Sequence, residues 1–385
     1  MSISLFSFLM SVMFSTVFIL GIHVLRNRPF FLKSFEVHTL LTLYGLCLFR
    51  MVVVIELPFT IPVGLRGAFS RVYDRVRQFQ MPVGKEDIEL TAFLCCIWAV
   101  VAGVLFTRFI WRDHAVKKEL ALCHRNENKD AEQALSKAMA VSSRKLPVNV
   151  CVCGSIDIPM GLGLFHKWIY LPDEKFAKEE LYYIMMHEYT HFCNRDGVVK
   201  LLTMLFCCVF WWNPAVYILK KDVSQILEIK CDVYATQSFT KKERLEYLLT
   251  ILRVLKGNPA PGNSPSPLTA TGLISRTKGD NTKERFELIM KAANQVKWKY
   301  QAILLSCSMV LLVLSYSFVL QPAFDPPVED IYTDDTVVEW YSEEIYILQH
   351  HDGTYSLVLE NGDTQPISEP FLQFFIDSGI EIRKE

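Results

Sequence analysis

Apolar residues gather in blocks along this chain instead of being spread through it. Residues 3–21 carry no charge, and Arg26 and Arg28 follow. Residues 37–55 are apolar apart from Arg50, and 90–107 are uncharged and closed by Arg108 and Arg112. Residues 302–320 are uncharged, between Lys297 and Lys299 on one side and Gln321-Pro322 on the other. Each block approaches the roughly 20 residues that cross a bilayer. The pattern therefore predicts three transmembrane helices within 1–111 and a fourth at 301–320. The first block lacks the basic leader and small-residue cleavage site of a signal peptide.

The stretches between blocks read differently. Residues 147–172, rich in Val, Ile and Gly, predict strands and turns. Residues 178–193 and 222–239 predict helices. Residues 257–280, with Pro259, Pro261, Pro265 and Pro267 among Gly, Ser and Asn, predict a linker. In the tail, 344–348 and 355–359 predict strands flanking a His351-Asp352-Gly353 turn, with a second turn at Asn361-Gly362. No internal repeat is visible.

Composition sharpens this picture. Of 385 residues 51% are hydrophobic and 21% charged, against about 25% charged in an ordinary soluble domain. A net charge of −1 gives no reason to expect nucleic-acid binding. Basic residues sit beside the spans so that 112–300 is expected on the cytoplasmic side and the tail outside. The loop 57–87 then faces out, although it carries Arg66, Arg71, Arg75, Arg77 and Lys85. Residues 321–385 hold 15 acidic side chains against Arg383 and Lys384, and none of the 11 cysteines. Free thiols confined to membrane and cytoplasmic segments fit that orientation. The expected location is the bacterial cytoplasmic (inner) membrane, multi-pass, with lipid as an obligatory partner.

Candidate chemistry lies in the cytoplasmic segment. His187-Glu188-Tyr189-Thr190-His191 is an HExxH pattern. On a helix the two imidazoles share a face, which suits a tetrahedral Zn²⁺ with Zn–N of about 2.0–2.1 Å. Glu188, turned by about 100°, falls beside the metal and can take a proton from water that the metal acidifies. A catalytic zinc needs a third protein ligand. Glu228 is the best candidate, and Asp232, one turn later, can orient a ligand histidine by hydrogen bonding. Both would otherwise be solvated carboxylates. Asp196 reads as an N-cap, Cys231 as a packed thiol, and Cys151 and Cys153 as strand filling. Arg50 must face the bundle or snorkel.

These residues resemble the BlaR/MecR-type membrane zinc peptidases, the sensor-transducers of bacterial β-lactam resistance. The resemblance rests on His187-Glu188-Tyr189-Thr190-His191 with Asp196, on Trp211-Trp212-Asn213-Pro214, and on Glu228-x-x-Cys231-Asp232. Pro159-Met160-Gly161 through Tyr170-Leu171-Pro172 adds to it. It implies a gluzincin site with His187, His191 and Glu228 as ligands, Glu188 as general base and Asp232 behind a ligand. It also implies that 159–172 supplies an edge strand to which substrate adds. The fold class expected is an α-helical membrane protein with a cytoplasmic α+β gluzincin domain and a short extracytoplasmic β-rich tail. The family's sensors carry a penicillin-binding domain with a Ser-x-x-Lys nucleophile. Residues 321–385 hold no such motif, and the Ser142-Ser143-Arg144-Lys145 match falls in the segment expected on the cytoplasmic side.

A fifth block, 201–219, has 19 uncharged residues. If it crossed the membrane it would part His187 and His191 from Glu228, so a re-entrant or interfacial hairpin is expected. The leading expectation is a regulated zinc endopeptidase that cuts itself in the 257–280 linker, a BlaI-type repressor, or both. The alternatives are a constitutive HtpX-like quality-control protease and a non-proteolytic zinc-stabilised receptor. The partner set leaves room for a homodimer.

Overall fold

The computed structural model describes residues 5–27, 37–65, 80–83, 86–125, 128–256, 271–272, 285, 289, 298–322, 346–351, 354–358, 364–367, 372 and 380–384. The chain divides into two compact units, Met1–Ala323 and Phe324–Glu385. The first runs through α1 (Leu5–Arg26), α2 (Val37–Val52), β1 (Ile61–Leu65), β2 (Gln80–Val83), β3 (Glu86–Glu89) and α3 (Leu90–Ala121). Then come α4 (Lys129–Val141), β4 (Val148–Val152), β5 (Met160–Leu162), β6 (Lys167–Leu171), α5 (Lys178–Asn194) and α6 (Asp196–Val209). It closes with α7 (Pro214–Ala235), α8 (Lys241–Lys256), β7 (Thr271–Gly272), α9 (Trp298–Leu314) and β8 (Phe318–Pro322).

Among the described residues, two helices are long and apolar enough to cross a membrane: α1, with 22 residues, and α3, with 30 residues from Ala92 onward. At 16 and 17 residues, α2 and α9 are apolar but shorter. Ser7, Ser11 and Ser15 are buried one turn apart on α1, where small side chains allow close helix approach. Ser11 Oγ donates to the Arg50 carbonyl of α2. Arg50 itself turns inward. Its Nε donates to Ser315 Oγ at 2.8 Å, its Nη2 to Ser315 O at 3.1 Å, and its guanidinium lies 4.0 Å from the centre of the Tyr316 ring. The charge thus leaves the apolar surface and ties α2 to the end of α9.

The core beyond α3 is built on a sheet of order β4-β6-β5-β7. β4 runs parallel to β6, while β5 is antiparallel to both β6 and β7. Gly163, at φ 105°, makes the β5–β6 turn, where a Cβ would collide with the His166 carbonyl. Ala131, Ala134, Leu135 and Ala138 form one buried stripe on α4, at helical spacing. They share a core with Val148, Val150, Ile169 and Leu171 of the sheet and with Leu181, Ile184 and Met185 of α5. Glu180 Oε2 accepts the Ala177 N–H at 2.8 Å where α5 begins.

Beyond α5 the local signals set the path of the chain. Arg195, at φ 57°, is the left-handed residue that ends α5 and starts α6. The apolar block 201–219 is divided at Phe210–Asn213. There Asn213 Oδ1 accepts the Ala215 N–H at 3.0 Å and Pro214 occupies the first turn of α7. Trp98 Nε1 of α3 donates to Val209 O at 2.7 Å, at the end of α6. Two sequence expectations are corrected here. Asp196 is not a cap, since its side chain turns back to α5. Cys153 is not simply strand filling or a free thiol: the turn Leu122–Arg125 after α3 brings Cys123 against the end of β4, and the pair forms a disulfide with Cα atoms 5.3 Å apart. Cys151 stays a buried free thiol.

The linker predicted at 257–280 lies outside the described residues, except for β7. The second unit contains β9 (Tyr346–Gln349), β10 (Tyr355–Val358), β11 (Thr364–Ile367) and β12 (Ile382–Lys384), ordered β11-β10-β9-β12. β9 and β10 are the antiparallel pair expected around His351.

One buried ionic cluster holds α7 to the first two helices. Asp222, 1% exposed, accepts from Arg26 Nη1 at 2.7 Å and from Tyr44 OH at 2.5 Å, and lies 2.7 Å from His23 Nδ1. Asp222→Ala removes the carboxylate that three side chains share. It is expected to cost about 3–5 kcal/mol, the range for breaking a buried pair from one side, as measured by unfolding in detergent.

Candidate metal centre

The paired histidines of α5 lie on its buried face, one turn apart, as their spacing requires. His187 Nε2 and His191 Nε2 are 3.2 Å apart. Glu228 Oε2, brought in by α7, is 3.6 Å from each of them. Around a tetrahedral ion with bonds of 2.0–2.1 Å, ligand atoms sit about 3.3–3.4 Å apart. The three atoms therefore form nearly one face of such a tetrahedron. Glu228 Oε2 is fully buried and has no hydrogen-bond partner, a state that costs about 1–3 kcal/mol or more for a charged group. An orphaned carboxylate oxygen aimed at two imidazole nitrogens fits a cation.

The outer edges of both rings are engaged. His191 Nδ1 is 2.8 Å from Asp196 Oδ2, and Lys230 Nζ contacts Asp196 Oδ1 at 3.3 Å. His187 Nδ1 is 2.8 Å from Tyr247 OH and 3.2 Å from Asp232 Oδ1. The Tyr247 hydroxyl donates to Asp232 Oδ1 at 2.7 Å, so it accepts the Nδ1–H of His187. With Nδ1 protonated on both rings, each Nε2 lone pair faces the point that Glu228 also faces. Lys200 Nζ, 3.3 Å from Glu228 Oε1, engages the oxygen that the histidines leave.

Electrostatics agree with this arrangement. Burial works against protonating either imidazole, yet both are shifted upward, His187 by Asp232 and Glu228, and His191 by Glu228 and Asp196. The carboxylates thus favour positive charge between the rings. Burial would raise Glu228, but Lys200 and His191 hold it well below the ordinary carboxylate range. Asp232, also buried, is held low chiefly by Arg285. Arg285 donates to it twice, Nε to Oδ2 at 2.6 Å and Nη2 to Oδ1 at 2.9 Å.

Glu188 lies alongside. Its Oε2 accepts the Gly161 N–H of β5 at 2.7 Å, and its buried Oε1 has no partner. Burial pushes its carboxyl up to about 8. Among the described residues, His187, His191 and Cys231 also offer ligand atoms within 4.8 Å of one another. The Cys231 thiol, however, donates to His187 O at 3.1 Å and sits 3.7 Å from His187 Nδ1, the nitrogen already engaged. Burial and the neighbouring Asp196 and Asp232 raise that thiol well above its usual value.

All five sequence-predicted residues, His187, Glu188, His191, Glu228 and Asp232, meet in this cluster. Sequence reasoning missed the supporting roles of Asp196, Lys200, Lys230, Tyr247 and Arg285. Asp196 had the signal, a carboxylate five residues after His191, but a cap explained it equally well.

Comparison with known proteins follows the same segment. Residues 68–289 match the model of the BlaR1 peptidase M56 family. The chain is 31% identical over 112 residues to the methicillin resistance mecR1 protein of Staphylococcus aureus, covering 28% of this chain and 19% of that protein. It is 30% identical over 100 residues to the regulatory protein BlaR1 of Bacillus licheniformis, covering 26% and 17%. To the regulatory protein BlaR1 of Staphylococcus aureus it is 23% identical over 163 residues, covering 40% and 27%. These alignments thus span about a sixth to a quarter of the relatives' own lengths. The family match extends over more than half of the chain and includes the sheet, α5 and α7, so the chain belongs to the BlaR1 peptidase M56 family.

Proposed function

We propose that this chain is an integral-membrane zinc endopeptidase of a signalling system, with His187, His191 and Glu228 as metal ligands and Glu188 as general base. The observation that carries the reading is the facing trio of Nε2, Nε2 and Oε2 atoms, with the carboxylate oxygen otherwise unsatisfied. Zinc bound there supplies Lewis acidity, acidifying water and polarising the scissile carbonyl. Glu188 receives the proton from water on Oε1 and passes it to the leaving amine. Its Oε2 stays fixed by the Gly161 N–H, so the base keeps one orientation through the reaction. Asp196 and Asp232 hold the imidazoles in the tautomer that leaves Nε2 free to ligate.

Substrate binding is proposed to occur by strand addition on β5. β5 is the strand whose Gly161 N–H meets Glu188, and its outer edge carries β7 in antiparallel register, Met160 opposite Gly272 and Gly161 opposite Thr271. β7 belongs to the linker at 257–280. A segment of the chain's own linker lying along the expected substrate edge, next to the base, favours self-cleavage there over a purely constitutive protease. A BlaI-type repressor is proposed as a second substrate on the strength of the family resemblance.

The membrane arrangement is proposed as four spans, three within 1–111 and one at 301–320, where α9 supplies the helix as far as Leu314 and β8 takes over at Phe318. The block 201–219, the end of α6 and the start of α7, is proposed as a re-entrant or interfacial hairpin. The peptidase domain 112–300 is then proposed on the cytoplasmic side and the acidic tail 321–385 outside, on the basic residues beside the spans and the acidic tail alone, since the Cys123–Cys153 disulfide removes the free-thiol argument. Burial of Arg50 between α2 and the end of α9 supports α2 and α9 as members of one bundle.

Two experiments test the reading. Glu188→Gln, in membranes and tagged at both ends, is expected to retain zinc and lose the fragment made by cutting within 257–280. A fragment that persists in Glu188→Gln, or a wild-type chain without zinc, would overturn it. Asp196→Ala is expected to weaken zinc binding about 10–100-fold, the usual cost of losing a partner behind a ligand histidine, as read by chelator competition.

A further inference from the structure

Asp232 lies behind His187, but it is not self-sufficient. It is a fully buried carboxylate, and a buried charge needs a partner of opposite sign with good geometry. The partner is Arg285, itself 8% exposed, whose fork meets both carboxylate oxygens at 2.6 and 2.9 Å. A guanidinium matched to a carboxylate in this way fixes the plane of the carboxylate as well as its charge. In that plane Asp232 Oδ1 takes the Tyr247 hydroxyl at 2.7 Å and stands 3.2 Å from His187 Nδ1. Ile289, four residues after Arg285, is 1% exposed in the core cluster that includes Tyr183, Met186 and Tyr247. Arg285 and Ile289 thus both reach the core, one by charge and one by packing.

We propose that Arg285 is a positioning residue for His187, acting through Asp232, and that the metal centre is complete only while Arg285 stays paired with Asp232. This rests on the zinc reading given above. Its consequence follows from chain order. Asp232 precedes the 257–280 linker and Arg285 follows it, so a cut in the linker leaves the two joined only by non-covalent contacts. The local concentration that the intact chain enforces is then lost. Self-cleavage therefore weakens the support of its own site.

The test uses the full-length chain in detergent, in a Glu188→Gln background so that it stays uncut. Zinc affinity is read by chelator competition, geometry by the visible spectrum of the cobalt(II) form, and folding separately by thermal unfolding without metal. Arg285→Gln is expected to lower zinc affinity about 10–100-fold and to alter the cobalt spectrum, with Arg285→Lys recovering part of both. Ile289→Ala, which keeps the guanidinium, is expected to lower the unfolding temperature with the affinity of the folded fraction within about threefold of the parent, well short of the loss expected for Arg285→Gln. Arg285→Gln binding zinc as tightly as the parent would overturn the proposal. So would Ile289→Ala losing as much affinity as Arg285→Gln, since packing alone would then account for the effect. If Arg285→Gln does not fold, Arg285→Lys carries the test, and parental affinity and spectrum in that variant would overturn it. A parent that binds no zinc would instead sink the zinc reading itself.

Discussion

Burial of three carboxylates along one helix is the constraint on which the rest of this structure depends. Asp222, Glu228 and Asp232 all lie on α7, and all are buried. A buried carboxylate is tolerable only when neighbouring groups supply compensating charge and hydrogen bonds, so each fixes the helix to a different neighbour. Asp222 binds α7 to α1 and α2 through Arg26, His23 and Tyr44. Glu228 faces α5 through its two histidines and α6 through Lys200. Asp232 reaches Tyr247 on α8 and Arg285. Glu228 is the exception, because one of its oxygens is left without a hydrogen bond. The unsatisfied position is where the proposed chemistry lies.

This arrangement explains how a site assembled from two helices stays in register. The left-handed Arg195 and the break at Phe210–Asn213 fold α6 and α7 into a hairpin. Salt bridges then cross the hairpin in both directions, Lys200 to Glu228 and Lys230 to Asp196. Each bridge ends on a carboxylate that serves a candidate ligand position. Rotating α7 relative to α5 would break several buried ionic contacts at once, which makes the helix pair stiff where the metal would sit. The same rod carries Asp222 six residues before Glu228, so the apolar helices α1 and α2 bear directly on the helix that supplies the third ligand.

Much of this was legible from local spacing. Four-residue separations put His187 with His191 and Glu228 with Asp232 on common helix faces, and Asn213-Pro214 marked the start of a helix inside an apolar block. Those signals are local and follow from helix geometry. What could not be read came from contacts between distant segments. Tyr247 and Arg285 carry no motif that separates them from any other tyrosine or arginine, and only tertiary packing brings them to Asp232. Asp196 lay in view, but capping and orienting a histidine ask for the same residue type at nearly the same place. Cys123 and Cys153 are 30 positions apart, with no spacing rule to join them. β7, two residues in a segment of Pro, Gly and Ser, has too little hydrophobic pattern to announce a strand.

The central claim is that two imidazoles and the Glu228 carboxylate hold a zinc ion, with Cys231 outside the coordination sphere. Zinc X-ray absorption on the purified Glu188→Gln chain tests this directly, because sulfur and nitrogen or oxygen ligands differ in distance by about 0.2–0.3 Å. The account expects one equivalent of zinc with only nitrogen and oxygen neighbours near about 2.0–2.1 Å and two imidazoles in the outer-shell pattern. A sulfur shell near about 2.3 Å would put Cys231 on the metal and contradict it.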